Sequence, residues 1–181
     1  MAPISRERSY FIQCGVFGMS DKIMLSRMIR IAANAHEGQF DLGGHPYILH
    51  PLRVMNWNPN FDFAQKCIAV GHDLFEDTWV DEKFLREGFD DRVINGIHSL
   101  SKIKGESYAQ YKNKVMSNLD AIKVKMCDLR DNSDITRLKG VGPKDLERIQ
   151  RYALFYTELK DLDNSFTNAF RVPHMVESFR Q

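Results

Sequence analysis

Ala69-Val70-Gly71-His72-Asp73-Leu74-Phe75-Glu76-Asp77-Thr78 closes the most apolar run of the chain, which starts at Phe63. The run from Phe63 to Phe75 has the length and pattern of a buried helix leading into Glu76-Asp77-Thr78. At about 100° per residue, with His72 as origin, Glu76 falls near about 40°, Asp73 near about 100° and Asp77 near about 140°. Three carboxylates and an imidazole thus share one arc of an otherwise buried helix. Desolvating them together is costly unless a cation collects them, so the stretch predicts a bound metal ion.

Working outward, Lys125, Asp128 and Asn132 recur at i, i+3 and i+7 in Ile122 to Asn132, within an arc of about 60°. A cation, a carboxylate and an amide on one face suit a metal ligand flanked by groups for phosphate and base. Helical spacing dominates elsewhere too. Met24, Met28, Ile31, Ala32 and Ala35 form a stripe after Asp21. Pro51 fits the first turn of a short helix opened by His50. Further helices are expected over 81–87, 90–101, 107–115, 120–132 and 143–159. No hairpin pattern occurs. The expected fold is all-α, an irregular helical bundle in one domain over 21–160, with an N-terminal arm at 1–20 and a C-terminal tail at 161–181.

Composition narrows the function classes. The 181 residues carry 25 Lys and Arg against 24 Asp and Glu, a net charge of +1 spread along the chain, which argues against a basic nucleic-acid binder. The three cysteines, Cys14, Cys67 and Cys127, form no C-x-x-C pair, so neither a disulfide framework nor a thiolate zinc site is expected. Neither a signal peptide nor a long apolar span is legible, so the expected setting is cytoplasmic, with no membrane partner.

Four motifs then stand in order: Ala35-His36-Glu37-Gly38-Gln39, Gly44-His45-Pro46-Tyr47-Ile48-Leu49-His50-Pro51, His72-Asp73 with Glu76-Asp77-Thr78, and Lys125 through Asp128 to Asn132. Together they resemble the HD-type hydrolase domain of the RelA/SpoT proteins, over roughly 21–159. The resemblance implies a metal, usually Mn²⁺, held by His50, His72, Asp73 and Asp128. It implies catalysis at Glu76 and Asp77 and contact of Asn132 with the nucleotide. The expected reaction removes the 3′-pyrophosphate of a purine alarmone such as ppGpp or ppApp. The chain length resembles that of the stand-alone small alarmone hydrolases, which lack a synthetase domain.

Two imidazoles and two carboxylates without thiolates agree with manganese, iron, cobalt or zinc in an open site. Such an ion lowers the pKa of water toward about 7 and polarises a phosphoryl oxygen. Lys125, Asp41 and Tyr108 are further candidates for nucleotide contact. His36 is expected either behind the ligands or packing its loop. Asp41 stands where guanine-specific relatives carry an arginine against the purine, so adenine alarmones are expected to be accepted and Asp41→Arg to favour guanine. The rival readings are another HD-type nucleotide phosphatase, acting for example on NADPH, and a non-catalytic nucleotide-binding or toxin-neutralising protein. A complete ligand set and an intact Glu-Asp pair argue against the latter.

Overall fold

The computed structural model describes residues 21–169, so the arm expected at 1–20 lies outside the described residues, as does 170–181. The chain folds as α1 (Asp21–Ala35), α2 (Leu49–Asn56), α3 (Phe63–Gly71), α4 (Leu74–Asp77), α5 (Glu82–Arg86), α6 (Asp91–Leu100), α7 (Tyr108–Met116), α8 (Leu119–Asn132), a 3-10 turn (Ile135–Arg137) and α9 (Pro143–Ala169). Among the described residues the only extended pairing is an isolated bridge between Phe40 and Pro46. The all-α expectation holds.

Helix α3 is the hub, in contact with α1, α2, α6 and α8. Its apolar composition explains this, since every residue from Cys67 to Gly71 is buried. Asp62 starts it with a capping box, accepting from the Gln65 N–H while the Gln65 side chain accepts from the Asp62 N–H. Arg92 of α6 reaches both Asp62 (2.8 Å) and Asp120 of α8 (2.7 Å), so one guanidinium ties together the starts of α3 and α8. Helix α1 lays Met28, Ile31, Ala32 and Ala35 on the core, the stripe read from sequence.

Two expectations are corrected. The helix expected over 63–75 is interrupted: α3 stops at Gly71, His72 and Asp73 keep helical dihedrals, and α4 begins at Leu74. At this break the His72 ring turns back on α3, its Nδ1 2.8 Å from the Ala69 carbonyl. The last helix was expected to end at Leu159 but runs to Ala169, so 161–169 is helical rather than a tail. Phe155, Leu159, Leu162 and Phe166 continue one stripe against the core and carry the helix onward.

Helices α3 and α6 cross at Gly96, where a Cβ would stand 2.4 Å from Ile68 Cδ1. Gly96→Ala is therefore expected to lose about 1–3 kcal/mol through overpacking. Urea unfolding checks this: the midpoint falls while the slope stays constant.

Candidate metal centre and the cleft beside it

Three elements deliver four side chains to one point. The first turn of α2 carries His50, the α3–α4 junction His72 and Asp73, and the middle of α8 Asp128. His50 Nε2 lies 3.2 Å from Asp128 Oδ1 and 3.6 Å from Asp73 Oδ2. His72 Nε2 lies 3.0 Å from Asp73 Oδ2 and 3.6 Å from Asp128 Oδ1. Donors about 2.0–2.2 Å from a shared ion stand roughly 3–3.6 Å apart, so these separations suit a divalent metal. His50, His72 and Asp128 form the tight buried group, their ligand atoms within 4.8 Å of one another.

The ring orientations agree. His72 Nδ1 donates to the Ala69 carbonyl, which leaves Nε2 as the lone-pair nitrogen, and that atom is buried with no hydrogen-bond partner. A buried, orphaned acceptor facing two carboxylates is what a metal site presents without its ion. His50 Nδ1 lies 2.7 Å from Asp131 Oδ2, so its Nε2 likewise faces the centre.

Asp131 went unread in the sequence. It is 1% exposed and also accepts from Arg53 Nε (2.8 Å) and Trp57 Nε1 (3.2 Å), with Arg137 Nη2 at 3.2 Å. Burial opposes its ionisation, but His50 and Arg53, then Arg137, outweigh burial and hold its carboxyl far below the usual range. Its separation of three residues from Asp128 on α8 was visible, whereas its pairing with His50 across the fold was not. Tyr47 was missed in the same way: its hydroxyl donates to Asp73 Oδ2 at 2.7 Å and lies 3.5 Å from Asp77 Oδ2.

Of the expected nucleotide contacts, Lys125 and Asn132 both turn to Asp128. Lys125 Nζ donates to Oδ2 at 2.8 Å and Asn132 Nδ2 to Oδ1 at 2.5 Å. Burial raises the cost of the Asp128 charge, yet Lys125 and the two imidazoles hold the carboxyl well below its usual range. His36 sits behind Tyr47, ring centroids 4.8 Å apart, with Nδ1 2.7 Å from Gln39 Oε1. Tyr108 lies half-exposed against Phe155 and Lys112. Its neighbour one turn on, Tyr111, is the buried one, and the Lys125 ammonium lies 5.4 Å from its ring.

Glu76 and Asp77 follow on α4, both exposed. Glu76 Oε1 accepts the Lys102 N–H, and the Asp77 carbonyl accepts from Gln39 Nε2 at 2.7 Å. Partial desolvation by the surrounding chain, with Asp73 nearby, pushes both carboxyls above their usual values, although the Lys102 N–H opposes this at Glu76. Beside the centre lies a cleft of about 200 Å³ lined by Phe40, Asp41, Tyr47, His50, Asn132 and Arg137, among others. That is below the about 300–1,000 Å³ of a site enclosing a whole drug-sized ligand, so a nucleotide would be enclosed in part. Asp41 borders the cleft with a side chain only 9% exposed, paired with Arg137 at 3.0 Å. An arginine at 41 would meet Arg137 and Arg53 head-on, so Asp41→Arg is expected to disrupt the loop rather than retune base preference.

Metal binding requires neutral imidazoles. Burial disfavours a charged His72, but Asp73 and Asp128 prevail and raise its pKa well above the usual value. Protons therefore compete with the metal above about pH 6.5, and affinity rises with pH across the neutral range. Calorimetric titration of metal-free protein with Mn²⁺ at several pH values checks this; an affinity flat from about pH 6 to 8 would contradict it. Asp131→Asn should weaken the same binding by about 10–100-fold, because the amide holds His50 less firmly.

No family model matches the chain. It is 30% identical over 135 residues to the guanosine-3′,5′-bis(diphosphate) 3′-pyrophosphohydrolase of Haemophilus influenzae, which covers 68% of this chain and 20% of that protein. To the bifunctional (p)ppGpp synthase/hydrolase SpoT of Escherichia coli it is 30% identical over 135 residues, 68% of this chain and 19% of that one. The chain thus spans about one fifth of the length of these curated relatives. Among solved structures, one described as a metazoan ortholog of SpoT that hydrolyzes ppGpp superposes with a TM-score of 0.63 at 20% identity, covering 85% of this chain and 97% of that one. By sequence the chain is a homologue of the SpoT-type 3′-pyrophosphohydrolases, and it carries their all-α HD fold.

Proposed function

We propose that this protein is a Mn²⁺-dependent hydrolase that removes the 3′-pyrophosphate from the purine alarmones ppGpp and ppApp. The observation that carries the reading is the convergence of His50, His72, Asp73 and Asp128, with Glu76 and Asp77 one turn further on and a cleft lined by His50 and Asn132 alongside. The names of the relatives supply the substrate class.

His50, His72, Asp73 and Asp128 would hold the ion, which supplies Lewis acidity toward water and a phosphoryl oxygen. The remaining steps belong to the chain. Glu76 and Asp77, their carboxyls shifted upward by partial desolvation, take the proton of the attacking water. The water oxygen bonds to the 3′-linked phosphorus, the bond from that phosphorus to O3′ breaks, pyrophosphate leaves, and O3′ receives a proton. Tyr47 steadies this arrangement by donating its hydroxyl proton to Asp73, with Asp77 Oδ2 3.5 Å away. Lys125 and Asn132 fix Asp128, and Asn132, at the cleft, also faces the nucleotide. His36 supports Tyr47 from behind. Among the described residues no helix is long and apolar enough to cross a membrane, and Cys67 and Cys127 are free thiols, which supports a cytoplasmic setting.

The test is an anion-exchange assay of purified protein with Mn²⁺ against both alarmones. Pyrophosphate should be released from each, with ppApp used at least as well as ppGpp. A preference for ppGpp beyond about tenfold, roughly 1.4 kcal/mol, would remove ppApp from the reading. Release of single phosphate would instead indicate a phosphatase. Glu76→Gln should retain Mn²⁺ but lose about 10²–10⁴-fold in kcat, since an amide cannot accept the proton. Loss of the metal in that variant would make Glu76 a ligand instead.

A further inference from the structure

The two oxygens of Asp41 have separate tasks. Oδ1 accepts the N–H groups of Gly43 and His45, both at 2.9 Å, and the Asp41 N–H donates to the His45 carbonyl at 2.8 Å, which closes the loop on itself. Oδ2 faces the 3-10 turn, where it accepts from Arg137 Nη1 at 3.0 Å, with Arg53 Nη2 at 3.8 Å. The same two arginines hold Asp131: Arg53 through Nε at 2.8 Å and Nη2 at 3.1 Å, Arg137 through Nη2, which also donates to the Asp131 carbonyl at 2.7 Å. Two guanidiniums are therefore shared between two carboxylates.

Contact between loop and turn is close. A Cβ on Gly43 would stand 2.3 Å from the Arg137 carbonyl oxygen, so the approach requires glycine there. Phe40 and Leu42, on either side of Asp41, are 65% and 71% exposed and border the same cleft as Arg137. A guanidinium gripped along its edges by carboxylates keeps its flat faces available for a ring. Apolar side chains beside it add a surface of the kind a nucleobase stacks on.

We propose that Asp41 is a positioning residue, which locks Arg137 and the Phe40–Leu42 loop into the wall against which the purine lies. The inference rests on the reading of the cleft as the nucleotide site. Arg137 is the contact in this account, and Asp41 acts through it.

Asp41→Asn separates the two tasks, because an asparagine can keep the Oδ1 acceptor for Gly43 and His45 while turning an NH2 donor toward Arg137. Its KM for ppGpp and ppApp, and the Kd of the product-like nucleotide GDP by calorimetry, should rise about tenfold, the scale of one lost charge-assisted contact. Its kcat should stay within about twofold, because the loss falls on binding shared by ground and transition states. Mn²⁺ content and Tm should match the parent protein. Arg137→Lys should raise the same KM and Kd, with a lower Tm because Asp131 also loses a partner, and for KM and Kd the double variant should be no worse than Arg137→Lys alone. Unchanged KM and Kd in Asp41→Asn, a fall confined to kcat, or fully additive effects would overturn the proposal. If Asp41→Asn does not fold, an unchanged GDP Kd in Arg137→Lys overturns it equally. A parent protein that binds GDP but hydrolyses neither alarmone ends the hydrolase reading, and the GDP measurements on the variants still decide this one. A parent that binds no nucleotide overturns both.

Discussion

Burying two carboxylates and two imidazoles at a single point is the constraint around which the rest of the molecule is arranged. Asp128 and His72 are 3% and 2% exposed, and neither could ionise or ligate there without partners that answer its remaining lone pairs and protons. The partners come from every side: Lys125 and Asn132 for Asp128, Tyr47 for Asp73, the Ala69 carbonyl for His72, and Asp131 for His50. Asp131 is a second buried charge and in turn needs Arg53, Trp57 and Arg137. Each layer removes the desolvation problem of the one inside it and passes it outward until the guanidiniums reach the cleft. An ion pair of this type adds little net stability by itself, but removing one partner leaves a buried charge unanswered. The network therefore specifies geometry more than it stabilises the fold.

The same cluster straddles the break in helix 63–75 that the apolar pattern concealed. The Ala69 carbonyl fixes the His72 ring, and Asp73 turns toward the same centre with Oδ2 3.0 Å from His72 Nε2. The chain then resumes as α4, with Asp77 N–H bonded to the Asp73 carbonyl at 3.0 Å. The buried apolar faces of α3 and Leu74 hold the backbone there.

What could be read in the sequence was whatever repeats within one element. The stripe of α1 and the i, i+3, i+7 face of Lys125, Asp128 and Asn132 are local, and the structure keeps them. Illegible were pairings between distant segments. His50 and Asp131 are 81 residues apart and Asp41 and Arg137 are 96 apart, and no periodicity links them. Asp41 shows the consequence most clearly. From sequence it stands out as an acceptor available to a base, but its place is beneath two guanidiniums that local reading had no reason to bring there. Of the two tyrosines a turn apart, Tyr111 faces the core and Tyr108 is exposed, a choice that spacing alone does not make.

The division of labour along α8 follows from helix geometry. Asp128 points at the centre, Asp131 holds the ring of His50, and Asn132 reaches the cleft while bonding Asp128. Three residues within about one turn thus set the ligand, its neighbour's orientation and the edge of the binding site. A rotation of α8 by one residue, about 100°, would misplace all three together. The long α9 packs along α8, and Arg92 ties its start to α3 through Asp120 and Asp62, so this register is held at the far end from the chemistry. The opposite wall of the cleft, from Phe40 to Tyr47, is a loop held by turn hydrogen bonds and by the shared arginines. The loop around Asp41 can therefore vary without moving His50, which Asp131 holds, or Asp128.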